Sequence, residues 1–173
     1  MQINLGEFLP SNYSRSSINV FCDASWIDCN SHCGLGFIIV SHINNNLIVG
    51  ALSTIVESNV KAELAATLAL NHCLGMNMCP SAIYSDCIPA VEMLRNGNVE
   101  TDWQFLEALN NVKRLLHLLQ NTTIHYVPRD LNTIAEALAN YRRLNPGLSL
   151  FHKGLQLPNW LMDITKNAAL TFE

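Results

Sequence analysis

Charge is scarce in this sequence. Charged residues make up 14% of its 173 residues and hydrophobic residues 49%, whereas an average globular chain is about 25% charged. This composition excludes an intrinsically disordered chain and a coiled coil, because both need many charged or polar residues. The 10 basic residues are outnumbered by 14 acidic ones, which gives a net charge of −4. The basic excess that is typical of a nucleic-acid-binding domain is therefore missing.

Long hydrophobic runs are also missing. The most apolar stretch, residues 62–74, is interrupted by Glu63, Asn71 and His72, and it is too short for a transmembrane helix, which needs about 18 apolar residues or more. The first residues show neither the basic region nor the apolar segment of a secretory signal. We therefore expect an intracellular protein, nuclear or cytoplasmic, with free cysteines. A zinc site around Cys29 and Cys33 is a weaker alternative, because no second ligand pair follows at a supporting spacing.

The chain divides into three segments. Residues 1–17 are polar and rich in Ser and Asn, which predicts a flexible lead-in. Residues 18–145 carry regular hydrophobic periodicity and are predicted to form one domain. Residues 146–173 are too apolar for a free linker, and we expect this tail to pack on the domain or on a partner.

The first half of the domain is predicted to form three strands and a helix. Ile18–Ser25 alternates as a strand does, and two β segments, 35–41 and 47–56, flank an Asn cluster that predicts a hairpin. After the third strand, the spacing of the hydrophobic residues changes from that of a strand to that of a helix. Ser58 is the predicted N-cap of a buried helix that continues to about Gly75.

The second half alternates between strands and helices. Short strands are predicted at 81–85 and 122–127, and helices at 88–96 and 132–144. Between the helices 88–96 and 132–144, Thr101 and Gln104 form the capping box of a further, long helix. The order β-β-β-α-β-α-α-β-α predicts an α/β fold with a mixed sheet.

Four acidic residues stand out against this apolar background: Asp23 on a strand, Glu63 in the buried helix, Asp86 just after a strand and Glu136 early in the last helix. Burying a carboxylate is costly unless it is paired or binds a metal. Mg²⁺ and Mn²⁺ prefer oxygen ligands, and two such ions can hold a phosphodiester during in-line displacement. The four acids predict such a site.

Each acid also has an ordinary interpretation. Asp23 can simply close a strand and begin a turn. Glu63 and Glu136 can be first-turn acids that face a helix dipole. Asp86 can be the N-cap of the helix that contains Pro89. The order of the four along the chain, rather than any one of them, supports the metal site.

The sequence resembles the type 1 ribonuclease H domain, especially the plant form found in reverse-transcriptase-like genes. The resemblance covers about residues 18–145, in the correct order and spacing. Its motifs are Phe21-Cys22-Asp23-Ala24-Ser25, Gly34-Leu35-Gly36-Phe37-Ile38-Ile39, Lys61-Ala62-Glu63-Leu64-Ala65-Ala66, Tyr84-Ser85-Asp86-Cys87, and the run from Val127-Pro128-Arg129 through Asn132 to Ala135-Glu136-Ala137-Leu138-Ala139.

This resemblance implies a five-stranded mixed sheet with strand order 3-2-1-4-5. It also implies an enzyme that hydrolyses the RNA strand of RNA–DNA hybrids with two Mg²⁺ ions, or Mn²⁺, held by Asp23, Glu63, Asp86 and Glu136. The family usually has Asp where Glu136 stands, and its most active members carry a His that Val127-Pro128-Arg129 replaces here. Both departures predict low activity, because the ligand geometry that Mg²⁺ requires is strict.

The resemblance also suggests nucleic-acid contacts at Ala24, Ser25, Asn132 and Arg129, although Asn132 is equally an N-cap candidate. The basic insert of active relatives is missing, and the remaining basic clusters are small: Arg129, Arg142-Arg143 and Lys113-Arg114. We therefore expect a monomer that binds hybrid weakly unless a partner supplies affinity. The alternative function is a weak or inactive retroelement-derived module for binding nucleic acid or protein.

Overall fold

One mixed sheet of six strands organises the molecule. The computed structural model describes residues 18–41, 46–96, 106–152 and 158–167. The strand order is β5-β4-β1-β2-β3-β6. The strands are β1 Ile18–Ser25, β2 Cys33–Ser41, β3 Asn46–Thr54, β4 Ala82–Ser85, β5 Thr123–Tyr126 and β6 Leu148–His152.

The order of the first five strands confirms the expected arrangement 3-2-1-4-5. Strands β1, β2 and β3 form the antiparallel meander, and β4 pairs with β1 in parallel, as does β5 with β4. The prediction of only five strands is wrong. Residues 148–152 of the tail form a sixth strand, antiparallel to β3, with Val49 opposite Phe151.

Helices cover both faces of the sheet. The helices are α1 Asn59–Ala66, α2 Ala69–Gly75, α3 Ile88–Asn96, α4 Leu106–Leu118, α5 Thr133–Leu144 and α6 Asn159–Asn167. One buried cluster contains Val20 and Cys22 of β1 and side chains of α1 to α4. The second contains Phe21 and side chains from α5 and α6. Alternate residues of β1 therefore belong to two cores, which explains why this strand is buried on both faces.

The helix predicted from Ser58 to Gly75 is divided in the structure. Its predicted N-cap is confirmed, since Ser58 Oγ accepts a hydrogen bond from the backbone N–H of Lys61 at 3.2 Å. The helix is interrupted at Thr67 and Leu68, between α1 and α2. The buried hydroxyl of Thr67 donates to the carbonyl of Leu64. A threonine hydroxyl that takes a backbone carbonyl competes with the helical hydrogen bonds, and the hydrophobic pattern does not report it.

Helix α5 lies against β1, β2 and β3 at very close range. Gly34 and Gly36 of β2 permit this approach. A Cβ atom at Gly36 would lie 2.7 Å from the backbone nitrogen of Ala139 and would overlap the carbonyl oxygen of Ala135. The two glycines therefore fix the depth at which α5, and with it Glu136, docks on the sheet.

Some predictions fall on residues that the structure does not describe. These are the lead-in 1–17, the Asn cluster between β2 and β3 apart from Asn46, and the capping box of Thr101 and Gln104. Among the described helices, none has the length and apolar character that would be needed to cross a membrane.

Candidate active site

Three of the four predicted acids converge at one edge of the sheet. Phe21 of β1 is the register partner of Tyr84 in the parallel strand β4. Asp23 and Asp86 each follow two residues later, so both lie at the carboxyl ends of neighbouring strands. Glu63 arrives from α1, which packs on β1. Carboxylate oxygens of Asp23, Glu63 and Asp86 all lie within 4.8 Å of one another.

The three acids are more buried than isolated carboxylates normally are. Asp23 is 1% exposed, Glu63 6% and the Asp86 side chain 9%. Asp23 Oδ2 and Glu63 Oε2 are buried without a hydrogen-bond partner. A buried polar atom without a partner costs free energy, and a divalent cation would satisfy both oxygens. The donor set, all carboxylate oxygen, fits Mg²⁺ or Mn²⁺.

Burial and mutual repulsion raise the pKa values of two carboxyls in this cluster. Burial, followed by the negative charge of Asp86, raises the pKa of Asp23 to about 8. Burial, followed by the charges of Asp23 and Asp86, raises the pKa of Glu63 to about 9, although Arg129 partly opposes the shift. The cluster therefore holds protons at neutral pH when no cation balances its charge.

These pKa shifts predict how the stability of the metal-free protein depends on pH. Because the folded pKa values of Asp23 and Glu63 lie above the unfolded ones, the folded state binds more protons between about pH 4 and pH 9. The contribution of these two carboxyls to the free energy of unfolding is fully present below about pH 4. It is lost as the pH rises, by up to about 1.4 kcal/mol per pH unit for each carboxyl. Denaturant titrations in EDTA measure this slope.

Asp23→Asn should reduce that slope and stabilise the metal-free protein at pH 8, because it removes one buried charge. Asp163→Asn is the matched control, since Asp163 is exposed on α6. An Asp23→Asn variant with the same slope as the parent protein would show that the cluster is not strained by its own charge.

Glu136 lies at the side of the cluster and faces an arginine. Arg129 Nε is 3.0 Å from Glu136 Oε1 and 3.6 Å from Asp86 Oδ2. The Glu136 side chain is 30% exposed, more than any of the other three. Glu136 lines a cleft of about 400 Å³ together with Asp23 and Glu63, but its carboxylate is paired with Arg129. No pattern in the sequence indicates this pairing.

Ala24, Ser25 and Arg129, three of the predicted nucleic-acid contacts, line the same cleft. The Ser25 hydroxyl is engaged within the protein: it donates to Asn140 Oδ1 at 2.6 Å and accepts from Arg143 Nε at 2.8 Å. Sequence reasoning did not single out Asn140. The spacing of Glu136, Asn140 and Arg143 at i, i+4 and i+7 was the available signal, because it places them on one helix face.

Asn132 occupies the N-cap position of α5, but its side chain is engaged elsewhere. It is 2% exposed, and its amide donates to the carbonyl of Cys22 at 3.0 Å. Its side chain makes no capping hydrogen bond to α5. In this structure, Asn132 therefore connects the start of α5 to β1, next to Asp23, and its side chain does not face solvent.

Solved structures with the same fold are ribonucleases H. Ribonuclease H1 of the halophilic archaeon Halobacterium salinarum superposes with a TM-score of 0.66 at 21% identity, over 74% of this chain and 97% of that one. LC11-RNase H1 was isolated from compost by a metagenomic approach. Its structure with an RNA/DNA hybrid gives a TM-score of 0.63 at 18% identity, over 72% of this chain and 94% of that one.

A viral protease–reverse transcriptase contains the same fold. The protease–reverse transcriptase of prototype foamy virus gives a TM-score of 0.60 at 15% identity, over 82% of this chain and 22% of that one. A search of curated protein sequences gave no match.

These likenesses define the class of the fold, which is ribonuclease H-like. The family model described as reverse transcriptase-like matches residues 21–142. The chain belongs to the reverse transcriptase-like family.

Proposed function

We propose that this protein is a metal-dependent endonuclease that hydrolyses the RNA strand of RNA–DNA hybrids. The observation that carries the proposal is the convergence of Asp23, Glu63 and Asp86 within 4.8 Å, with two buried carboxylate oxygens that lack a partner. A cluster of this kind that bound no cation would destabilise the fold, because nothing would offset the cost of burying its charges. The ribonuclease H-like fold and the hybrid bound to LC11-RNase H1 support the choice of substrate.

Each residue has a role in this proposal. Asp23, Glu63 and Asp86 would hold Mg²⁺ or Mn²⁺, and Glu136 would contribute once released from Arg129. Bound divalent cations supply activation of water and stabilisation of the leaving oxygen. Ala24 and Ser25 line the cleft that receives the strand, and minor-groove 2′-hydroxyl groups distinguish RNA from DNA.

Cleavage of a labelled RNA–DNA hybrid tests the proposal, with Mg²⁺ and Mn²⁺ in parallel reactions. We expect cuts within the RNA strand that leave a 3′-hydroxyl and a 5′-phosphate, and no cleavage of the DNA strand. Folded protein that cuts the hybrid in neither metal would overturn the proposed activity.

A second candidate is a weak or inactive binding module derived from a retroelement. The ion pair between Glu136 and Arg129 favours it, because this pair withdraws the fourth acid from the cluster. Activity in Mn²⁺ but not in Mg²⁺ would indicate an enzyme with an imperfect fourth ligand. Hybrid binding without cleavage in either metal would support the module.

Arg129 should weaken cation binding, because its guanidinium lies beside two of the proposed ligands. We expect Arg129→Gln to raise the Mg²⁺ affinity of the free protein by up to about fivefold, the size of one exposed ion pair. Isothermal titration calorimetry measures the affinity. Arg114→Gln, on the exposed surface of α4, controls for the loss of one positive charge. An equal change in both variants would show that Arg129 does not compete with the cation.

A further inference from the structure

Arg143 has no acidic partner among the residues that the structure describes, although the protein is rich in acidic residues. It lies on α5 and is half-buried. Lys61 and Arg129 form ion pairs, whereas no carboxylate of the described residues pairs with Arg143. Its recorded side-chain hydrogen bond runs from Nε to Ser25 Oγ, at 2.8 Å. The two terminal nitrogens therefore have no recorded acceptor within the described part of the chain.

Ser25 holds the guanidinium in place. A hydroxyl donates one hydrogen bond and accepts up to two, and Ser25 Oγ uses its donor on Asn140 Oδ1 at 2.6 Å. Its lone pairs then face Arg143. The chain Arg143–Ser25–Asn140 thus fixes a long and normally mobile side chain, which lowers the entropy that binding would otherwise cost.

The position of this group relative to the acid cluster defines what it can bind. Ser25 follows Asp23 by two residues on β1, and Asn140 lines the same cleft as Asp23 and Glu63. Glu136, Asn140 and Arg143 share one face of α5. With a rise of 1.5 Å per residue, Arg143 lies about 10 Å along the helix axis from Glu136.

We infer that Arg143, oriented by Ser25 and Asn140, binds a backbone phosphate of the hybrid within about three nucleotides of the scissile bond. Because Nε is engaged by Ser25, the two terminal NH2 groups of the guanidinium form its free edge. This edge matches two phosphate oxygens and binds them through paired hydrogen bonds. This inference rests on the proposed function and adds a positioning site that the four acids do not supply. It also assigns Ser25 the role of orienting Arg143 rather than contacting the strand through its own hydroxyl.

Hybrid binding by the full chain in Ca²⁺, as a function of salt, tests the inference without depending on cleavage. Arg143→Gln removes the charge and retains a donor for Ser25. We expect its dissociation constant to rise by about three- to tenfold, and the slope of log K against log salt to fall by about 1, the value for one lost phosphate contact. Asn140→Asp gives an independent second variant. It places a carboxylate on the far side of Ser25 from Arg143, and we expect it to weaken binding at least as much.

Arg114→Gln is the control for a lost positive charge. A single neutral methylphosphonate, moved one nucleotide at a time along the hybrid, locates the contact. At one position it should weaken binding by the parent protein, yet leave binding by Arg143→Gln unchanged. Such a position supports the inference and identifies the phosphate.

The failure of this inference is distinguishable from the failure of the proposed function. Parent and Arg143→Gln proteins with equal affinity and equal salt slope would overturn the phosphate site, whether or not the parent cleaves. An equal loss for Arg143→Gln and Arg114→Gln would also overturn it, because the effect would then be one of general charge. A slope difference in a parent protein that never cleaves would support the site while contradicting the proposed catalysis.

Discussion

Asp86→Asn should abolish cleavage of an RNA–DNA hybrid, with a loss of about 10³-fold or more in the rate of the chemical step. Replacing one carboxylate oxygen by an amide removes a charged ligand from the only described cluster in which three acids lie within 4.8 Å. A metal ion that stabilises charge in a transition state contributes several kcal/mol, and each 1.36 kcal/mol corresponds to a factor of about ten in rate.

The comparison is made between parent protein and variant, each purified identically, in Mg²⁺ and in Mn²⁺ under single-turnover conditions. Asp163→Asn has the same chemical change at an exposed position on α6 and should cleave like the parent. Because a contaminating nuclease would persist in all three preparations, it would appear as activity that Asp86→Asn retains. A folded variant with more than about a tenth of the parental rate would exclude Asp86 from the reaction.

Gly36→Ala should destabilise the fold by about 2–4 kcal/mol. The new Cβ would lie 2.7 Å from Ala139 N and would overlap the Ala135 carbonyl, both of them backbone atoms of α5. Backbone cannot move aside as the end of a flexible side chain does, so α5 as a whole must shift away from β2. Since α5 carries Glu136, cleavage should fall together with stability.

Gly75→Ala is the matched control. Gly75 ends α2, and a Cβ added there would meet nothing within 4 Å. The same substitution should therefore stabilise by about 0.5–1 kcal/mol, as expected for replacing a helical glycine. Urea unfolding of the three proteins measures both effects. Equal stability for Gly36→Ala and the parent would mean that α5 docks less closely than the structure indicates.

Much of the fold follows from patterns that the sequence displays. The alternation in β1 locates the first strand, and the N-cap residue Ser58 locates the start of the first helix. The sequence does not predict the sixth strand, because Leu148–His152 is short and follows a turn with Pro146 and Gly147. Its apolar residues predict only a tail that packs on the domain or on a partner. Its pairing with β3 depends on contacts that are distant in sequence, which local periodicity cannot report.

The sequence predicts which acids form the site better than it predicts the contacts within the site. The order of Asp23, Glu63 and Asp86 predicted a cluster, and the structure brings these three together. The pairing of Glu136 with Arg129 and the placement of Asn132 against Cys22 depend on how α5 approaches the sheet. That approach is set by two glycines of β2, whose effect on a helix a hundred residues away has no sequence signal.

The pairing of β3 with β6 has a consequence for biosynthesis. Ile48 is bonded in register with His152, so the outer edge of β3 stays unpaired until about a hundred more residues have been made. At translation rates of about 5–20 residues per second, this interval lasts roughly 5–20 seconds. During it, the nascent meander exposes an apolar strand edge of the kind that recruits other chains. Pairing of β6 with β3 closes that edge. From this step on, the growing chain is protected from aggregation through the edge of β3.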